Sequence, residues 1–329
     1  MRQSQQRASK EGKDHREDTE IGIIHTVDSP CRCAESIAEG LDTLGYKVAI
    51  YNSEDIFIYA RHIADKSSLV IDHTDTFCGR GGLRSFVRLI LEANGARLVG
   101  ADASASMLAD DKYAAKKRLS ELGVSTPKGI LIAKESWKPL CQLKPPLILK
   151  TAYEHMSRGV CIAEDVDRAY ALSKELLHIF NQPVIVEEFI QGREMAVSMI
   201  HDPEKGLTML PPVEWRIKSK EMFQTKHFKL LEQDIERDDI MPTTLTKKEA
   251  ERLKALSMTA FKGLGMRDYC RFDIKLTPEG EFFFLEANIT PSLEKAEAMA
   301  MSARWAGLSY NELLERIILS AEKRYGRVI

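Results

Sequence analysis

No run of apolar residues in this chain approaches the roughly 20 that a membrane-spanning helix needs. There is no surplus of one charge either: 47 Lys and Arg stand against 49 Asp and Glu, a net charge of −2, so neither nucleic acid nor an anionic membrane is favoured as a partner. The six cysteines, Cys31, Cys33, Cys78, Cys141, Cys161 and Cys270, are scattered apart from one Cys-x-Cys pair. No spacing fits a zinc or redox dithiol pattern, and reduced, unpaired thiols are expected. The first twenty residues are polar and of mixed charge, unlike a signal peptide, so a cytosolic protein is expected. There is no internal repeat, and the glycine-containing loops fail the Gly-x4-Gly-Lys-Ser/Thr phosphate-loop pattern.

What is present is enough apolar material, 44% of 329 residues, for two or three α/β lobes with more than one core. Residues 1–19 have almost nothing to bury and are expected to be disordered. Ile21 to His25, Lys47 to Tyr51, Ser68 to Asp72 and Leu98 to Gly100 read as strands separated by helical segments, which predicts a parallel, doubly wound sheet. Cys78-Gly79-Arg80-Gly81-Gly82 follows the third strand, at the edge where such sheets take ligands. A helix is expected from Asp110-Asp111-Lys112 to Leu122, a buried strand at Leu147–Lys150, a polar loop from Thr151 to Gly159, and a strand at Pro183–Ile190. Glu214 to Asp239 reads as a long polar loop, and loops of that length usually carry function.

Arg271-Phe-Asp-Ile-Lys-Leu and Glu281-Phe-Phe-Phe-Leu-Glu-Ala-Asn flank Thr-Pro-Glu-Gly and predict a β-hairpin. Pairing Leu276 with Glu281 puts Arg271, Asp273, Phe284, Glu286 and Asn288 on one face. Phe272, Ile274, Leu276, Phe283 and Leu285 then take the core side. Two carboxylates and an amide oxygen suit a hard cation such as Mg²⁺, and Arg271 beside them suits an oxyanion.

In order, these pieces resemble the ATP-grasp ligases, most closely the D-alanine:D-alanine ligase branch, from Ile21 onward. The resemblance is carried by Gly100-Ala-Asp-Ala-Ser-Ala-Ser-Met-Leu-Ala-Asp-Asp-Lys112, Val184-Ile-Val-Glu-Glu-Phe-Ile-Gln-Gly-Arg-Glu194, Arg271-Phe-Asp and Glu286-Ala-Asn. It implies an α/β ATP-grasp fold: an N-terminal Rossmann-like domain over 20–103, a central ATP-clamping lobe over 104–200 and a C-terminal lobe over 201–329. It also implies that Lys112 and Lys150 contact the nucleotide phosphates, and that Ser157 in the flexible loop and Lys226 in the mobile loop join them. Glu187, Glu188, Phe189 and Ile190 would form the adenine hinge and Glu194 would take the ribose hydroxyls. Phe284, on the same hairpin face, is counted with the nucleotide site. Asp273, Glu286 and Asn288 would hold Mg²⁺, as two ions that Mn²⁺ could replace, and Arg271 would stabilise the oxyanion with backbone N–H groups near Ser292. The implied activity is ADP-forming amide-bond synthesis through an acyl phosphate, from a small carboxylate and an amine. A homodimer is compatible with this reading.

The sequence departs from that family at the substrate loops. Where the family has His-Gly-x-x-Gly-Glu-Asp-Gly this chain has Cys78-Gly-Arg-Gly-Gly-Leu-Arg84, and beyond Asn288 it reads Ile-Thr-Pro-Ser-Leu-Glu-Lys295, with Glu297 where a carboxylate-binding serine is expected. A carboxylate facing a carboxylate is repelled. The expectation is therefore a ligase for substrates other than two D-alanines, with Arg80 and Arg84 favouring an anionic first substrate. A true D-alanine:D-alanine ligase with altered subsites and a non-catalytic ATP-binding regulator are the alternatives.

Overall fold

The computed structural model describes residues 16, 19–27, 29, 31–134, 138–155, 158–216 and 239–326, and within them the chain builds three sheets in succession. The first is parallel. Strands β1 (Glu20–His25), β2 (Lys47–Asn52), β3 (Leu69–His73) and β4 (Leu98–Val99) lie in the order β2-β1-β3-β4, and α1 (Cys33–Thr43), α2 (Ile56–Lys66) and α3 (Arg84–Ala93) connect them. Ile21, Gly22, Ile23 and Ile24 are all buried, as befits a parallel strand covered on both faces. Gly22 lets Ser67 pack close, since a Cβ would stand 2.7 Å from Ser67 Oγ and the serine would have to shift.

Two helices follow, α4 (Ala103–Asp110) and α5 (Lys112–Glu121), each capped by an aspartate: Asp102 accepts from the Ala105 N–H, and Asp111 from the Tyr113 and Ala114 N–H groups. Such caps are each worth about 1 kcal/mol. The second sheet is antiparallel, β5 (Gly129–Ile132), β8 (Val184–Glu188), β6 (Leu147–Thr151) and β7 (Cys161–Ala163) in that order, covered by α6 (Val166–Phe180). Its core is its own, with Leu147, Leu149, Val184 and Val186 against Leu172 and Leu176.

The third sheet holds β9 (Arg193–Asp202), β10 (Gly206–Met209), β11 (Val213–Arg216), β12 (Asp239–Pro242), β13 (Tyr269–Leu276) and β14 (Phe282–Asn288), with α7 (Lys247–Gly263), α8 (Ala298–Trp305) and α9 (Tyr310–Arg324). Thr246 and Glu249 form a reciprocal capping box at the start of α7. β13 pairs with β9 along its whole length, Tyr269 opposite Ile200 and Leu276 opposite Arg193. A boundary at residue 200 would cut through β9, so the chain changes sheet at Gly192 instead. A boundary after residue 103 fares no better, because Ala105, Ala109, Ala115 and Leu119 pack in one core with Met195, Phe272 and Phe284 of the third sheet.

The first and third parts are locked together. Ile21, Leu69 and Val99 share a core with Leu313, Ile317 and Ile318 of α9, and buried Asp268 accepts from the Gly100 N–H (2.8 Å), Ser320 Oγ (2.8 Å) and Arg324 Nη2 (2.6 Å). Of the 1–19 stretch expected to be disordered, only Arg16 and Thr19 are among the described residues. Both are held in place: Arg16 pairs with Glu315 and stacks on Tyr46, and the Thr19 carbonyl accepts from the Lys47 N–H. The ends of the expected loop from Glu214 to Asp239 are paired strand, with Arg216 opposite Asp239, and 217–238 lie outside the described residues. No helix among the described residues is long and apolar enough to cross a membrane.

Candidate active site

The β13–β14 hairpin forms, with a different register from the expected one. Arg271 pairs with Asn288 and Asp273 with Glu286, but a bulge then sets Ile274 opposite Phe284 and Leu276 opposite Phe282. One extra residue, Leu285, reverses the face of everything before it on β14. Phe284 is therefore not at the nucleotide site: it is fully buried in the core, edge-on to Phe272 with centroids 5.5 Å apart. A chain of aromatics there is worth more inside than the uninterrupted alternation, since truncating one buried Phe costs about 3–5 kcal/mol.

Arg271, Asp273, Glu286 and Asn288 do share the other face. Arg271 grips Asp273 with two bonds, Nε to Oδ1 at 2.7 Å and Nη2 to Oδ2 at 3.0 Å, and Asn288 Nδ2 donates to the same Oδ2 at 3.0 Å. Trp215 lies under the guanidinium, 5.7 Å from ring centroid to Cζ. Asp273 and Glu286, direct cross-strand partners, present oxygen from two carboxylates beside the Asn288 amide, a donor set that fits a hard divalent cation.

Opposite this face stand lysines. Lys112 opens α5 with its Nζ 3.2 Å from Glu286 Oε1, and donates to the Glu154 carbonyl. Lys116, one turn on, donates to Glu187 Oε1, and Lys150 at the end of β6 lies 3.4 Å from Glu187 Oε2. Burial works to raise the Glu187 carboxyl, but Lys116 and Lys150 hold it below its ordinary value. For Glu286, burial is likewise outweighed by Lys112 and Lys150. Lys116 is pushed down to about 8 by burial, with the charge of Lys150 adding to it. Three ammonium groups thus meet two ionised carboxylates in the seam between the second and third sheets, and such a cluster can exchange internal partners for a polyphosphate and its metal.

A cavity of about 360 Å³ opens farther along the seam, lined by Pro146, Ile162, Phe189, Gly192 and Lys275 among others, a size that suits a small ligand. The Phe189 N–H donates to the Pro146 carbonyl at 2.9 Å. Glu194 lies 3.7 Å from Lys275 Nζ, which sits 4.4 Å over the Phe189 ring; burial lowers the pKa of this lysine. Of the other hinge residues, Ile190 is half-buried. Glu188 turns away, accepting from the Lys144 N–H at 3.1 Å and lying 3.7 Å from Lys128. Ser157 and Lys226 lie outside the described residues.

Three site residues are not singled out by the sequence reading. Lys116 is four residues after Lys112, hence on the same helix face, and Lys275 shares the parity of Arg271 and Asp273; both could be found from spacing. His155, 3.7 Å from Asp110 and 3.9 Å from Glu286, carries no such signal. Burial, then Arg84 and Lys112, press its pKa well down, which favours the neutral ring.

Arg84 is not the open cation expected for an anionic substrate. It is buried, with Nε 2.9 Å and Nη2 2.5 Å from Asp110 Oδ1, and Nη1 donating to Thr290 Oγ1 at 3.1 Å. Arg80 is exposed. The adjacent glycines serve close packing, since a Cβ on Gly81 would meet the Tyr153 carbonyl at 2.9 Å and one on Gly82 the Tyr153 Cβ at 2.7 Å. Near Ser292, the Leu293 N–H already points at Cys33 Sγ (3.3 Å) and the Glu294 N–H at Ser292 Oγ (3.3 Å).

Residues 121–319 match the family model described as the D-ala D-ala ligase C-terminus. A D-alanine–D-alanine ligase of Thermotoga petrophila is 30% identical over 302 residues, 91% of this chain and 95% of that protein. Among solved structures, the D-alanine–D-alanine ligase of Bacillus anthracis in complex with ATP superposes with a TM-score of 0.77 at 22% identity, covering 93% of this chain and 98% of that one. The VanG D-Ala:D-Ser ligase of Enterococcus faecalis gives 0.78 at 21% identity, covering 92% and 99%.

Proposed function

The chain belongs to the D-alanine–D-alanine ligase family and is an ATP-dependent, ADP-forming carbon–nitrogen ligase on the ATP-grasp fold, and we propose that it joins a small carboxylate to an amine through an acyl phosphate, on substrates other than two D-alanines. The observation that carries the placement of ATP is the meeting of Lys112, Lys116 and Lys150 with Glu187 and Glu286 in the seam.

In this reading the adenine enters the cavity beside Phe189, with Ile190 next to it in the chain, and Glu194 accepts from the ribose hydroxyls while Lys275 holds its charge in place. Lys112 and Lys150 turn from Glu286 and Glu187 toward the phosphates, and Ser157 and Lys226, outside the described residues, are the further phosphate-contacting residues of this proposal. Mg²⁺, two ions in this proposal, would be held by Asp273, Glu286 and Asn288 and would supply positive charge to offset that on the transferring phosphoryl group. The substrate carboxylate attacks the γ-phosphorus, ADP leaves, and an amine then attacks the acyl phosphate and expels inorganic phosphate. Arg271 spends Nε and Nη2 on Asp273, and its remaining Nη1 donors would serve the tetrahedral oxyanion.

The substrate proposal rests on the loop after Asn288. Glu294 accepts from the Arg32 N–H at 3.0 Å, and Glu297 adds negative charge beside Arg271, an environment hostile to a second substrate's carboxylate. A D-alanine ligase in the strict sense is the second reading, favoured by the relative from Thermotoga petrophila. ADP release assayed with D-alanine alone and then with pools of carboxylates and amines separates them: little release above background with D-alanine is expected, whereas robust dipeptide formation from it overturns the substrate proposal.

A further inference from the structure

The nucleotide seam leaves unused a second group of reactive side chains at the carboxyl ends of β1 and β3. These strands are neighbours in the parallel sheet, with His25 opposite His73, and this edge is where such sheets bind ligands. The segment leaving β1 brings Cys31 and Cys33 to His73. One ligand atom from each of the three lies within 4.8 Å of the others. His73 and Cys33 are buried and Cys31 half-buried. His73 Nε2 has no hydrogen-bond partner among the described residues, a costly state for a buried polar atom.

Cys33 Sγ behaves as an acceptor: the Leu293 N–H points at it from 3.3 Å, and Ser292 Oγ lies at 3.3 Å. Two sulfurs and an imidazole nitrogen are the donor set of a borderline-soft d¹⁰ ion, and not of Mg²⁺ or Ca²⁺.

We propose that Cys31, Cys33 and His73 form a zinc site, separate from the magnesium-type oxygen face of the hairpin, with three protein ligands and a fourth position left for water or a substrate group. On loading, each thiol gives its proton to solvent, both sulfurs bind as thiolates and the imidazole binds neutral. The sulfurs stand 2.6 Å apart. That is longer than the about 2.05 Å of a disulfide and shorter than the roughly 3.8 Å between two thiolates on one tetrahedral zinc. Zinc therefore requires Cys31, the half-buried member, to swing outward. The competing outcome is a Cys31–Cys33 disulfide. It would remove the sulfur acceptor that faces the Leu293 N–H and leave the buried His73 ring beside a disulfide that cannot bind it as a thiolate would, so the third ligand favours the metal. A loaded site would fasten the segment before α1 to the 289–294 loop, where Cys33 meets Ser292 and Leu293, and the Arg32 N–H meets Glu294.

The test is metal analysis of the full chain purified with a phosphine reductant and equilibrated against a zinc buffer. About one zinc per chain is expected, with a thiolate-to-cobalt charge-transfer band after replacement by Co²⁺. Cys31→Ser and His73→Asn should each weaken zinc by more than the about 10–100-fold lost when only an outer partner of a metal ligand is removed, while Glu286→Gln retains it. The wild-type cobalt spectrum needs no variant, and circular dichroism checks that Cys31→Ser is folded. Wild-type protein that holds no more zinc than a folded Cys31→Ser variant overturns the site, as does a chain lighter by two hydrogens under the same reducing conditions.

Discussion

Lys112 Nζ and Glu286 Oε1 lie 3.2 Å apart across the seam between α5 and β14, joining a helix start to the metal-type face of a hairpin far away in sequence. Without a ligand, each neutralises the other. A nucleotide phosphate would compete for the lysine and a divalent cation for the carboxylate, so the pair is poised to open when both arrive together.

Glu187→Gln removes the partner that Lys116 and Lys150 share. Breaking a buried ion pair from one side costs about 3–5 kcal/mol at neutral pH. Burial opposes ionisation of Glu187, yet the two lysines keep its pKa below the ordinary value, so folding favours the carboxylate. That stabilisation is complete above an unfolded pKa of roughly 4.3 and is lost as pH falls through the lower folded value. Urea unfolding should show the largest wild-type advantage near neutrality, shrinking below about pH 4; an advantage independent of pH would contradict the pairing.

Glu194→Ala should weaken ATP binding by about 1–3 kcal/mol, the range for a charge-assisted hydrogen bond. Calorimetric titration reads this directly. An unchanged ATP affinity would remove Glu194 from the ribose site and leave its contact with Lys275 as its only role.

Arg84→Gln should destabilise the protein by about 3–5 kcal/mol with no substrate present, because it leaves Asp110 buried without its cation. Thermal unfolding of the free protein is the readout. A variant as stable as wild type, with a selective loss of substrate affinity, would return Arg84 to the substrate-binding role that its sequence context suggests.

The apolar strands, the aspartate at the start of α5 and the polar face of the hairpin are all legible in the sequence, because each follows from local pattern. Local pattern does not encode the bulge at Leu285: alternation alone continues through it, and only the packing of Phe282 and Phe284 into the core shows that it breaks. Arg84 reads as an open cation for a similar reason, since its partner Asp110 is remote in sequence. The grouping of Cys31 and Cys33 with His73 depends on two parallel strands being neighbours, and no spacing rule encodes that.

The central claim is that Glu286, with Asp273 and Asn288, forms the metal-nucleotide site, and ADP release by Glu286→Gln tests it most directly. The substitution leaves the core face of β14 untouched, so the variant should be folded by circular dichroism and lose turnover by about 100-fold or more. A folded Glu286→Gln protein that releases ADP at the wild-type rate would contradict the account.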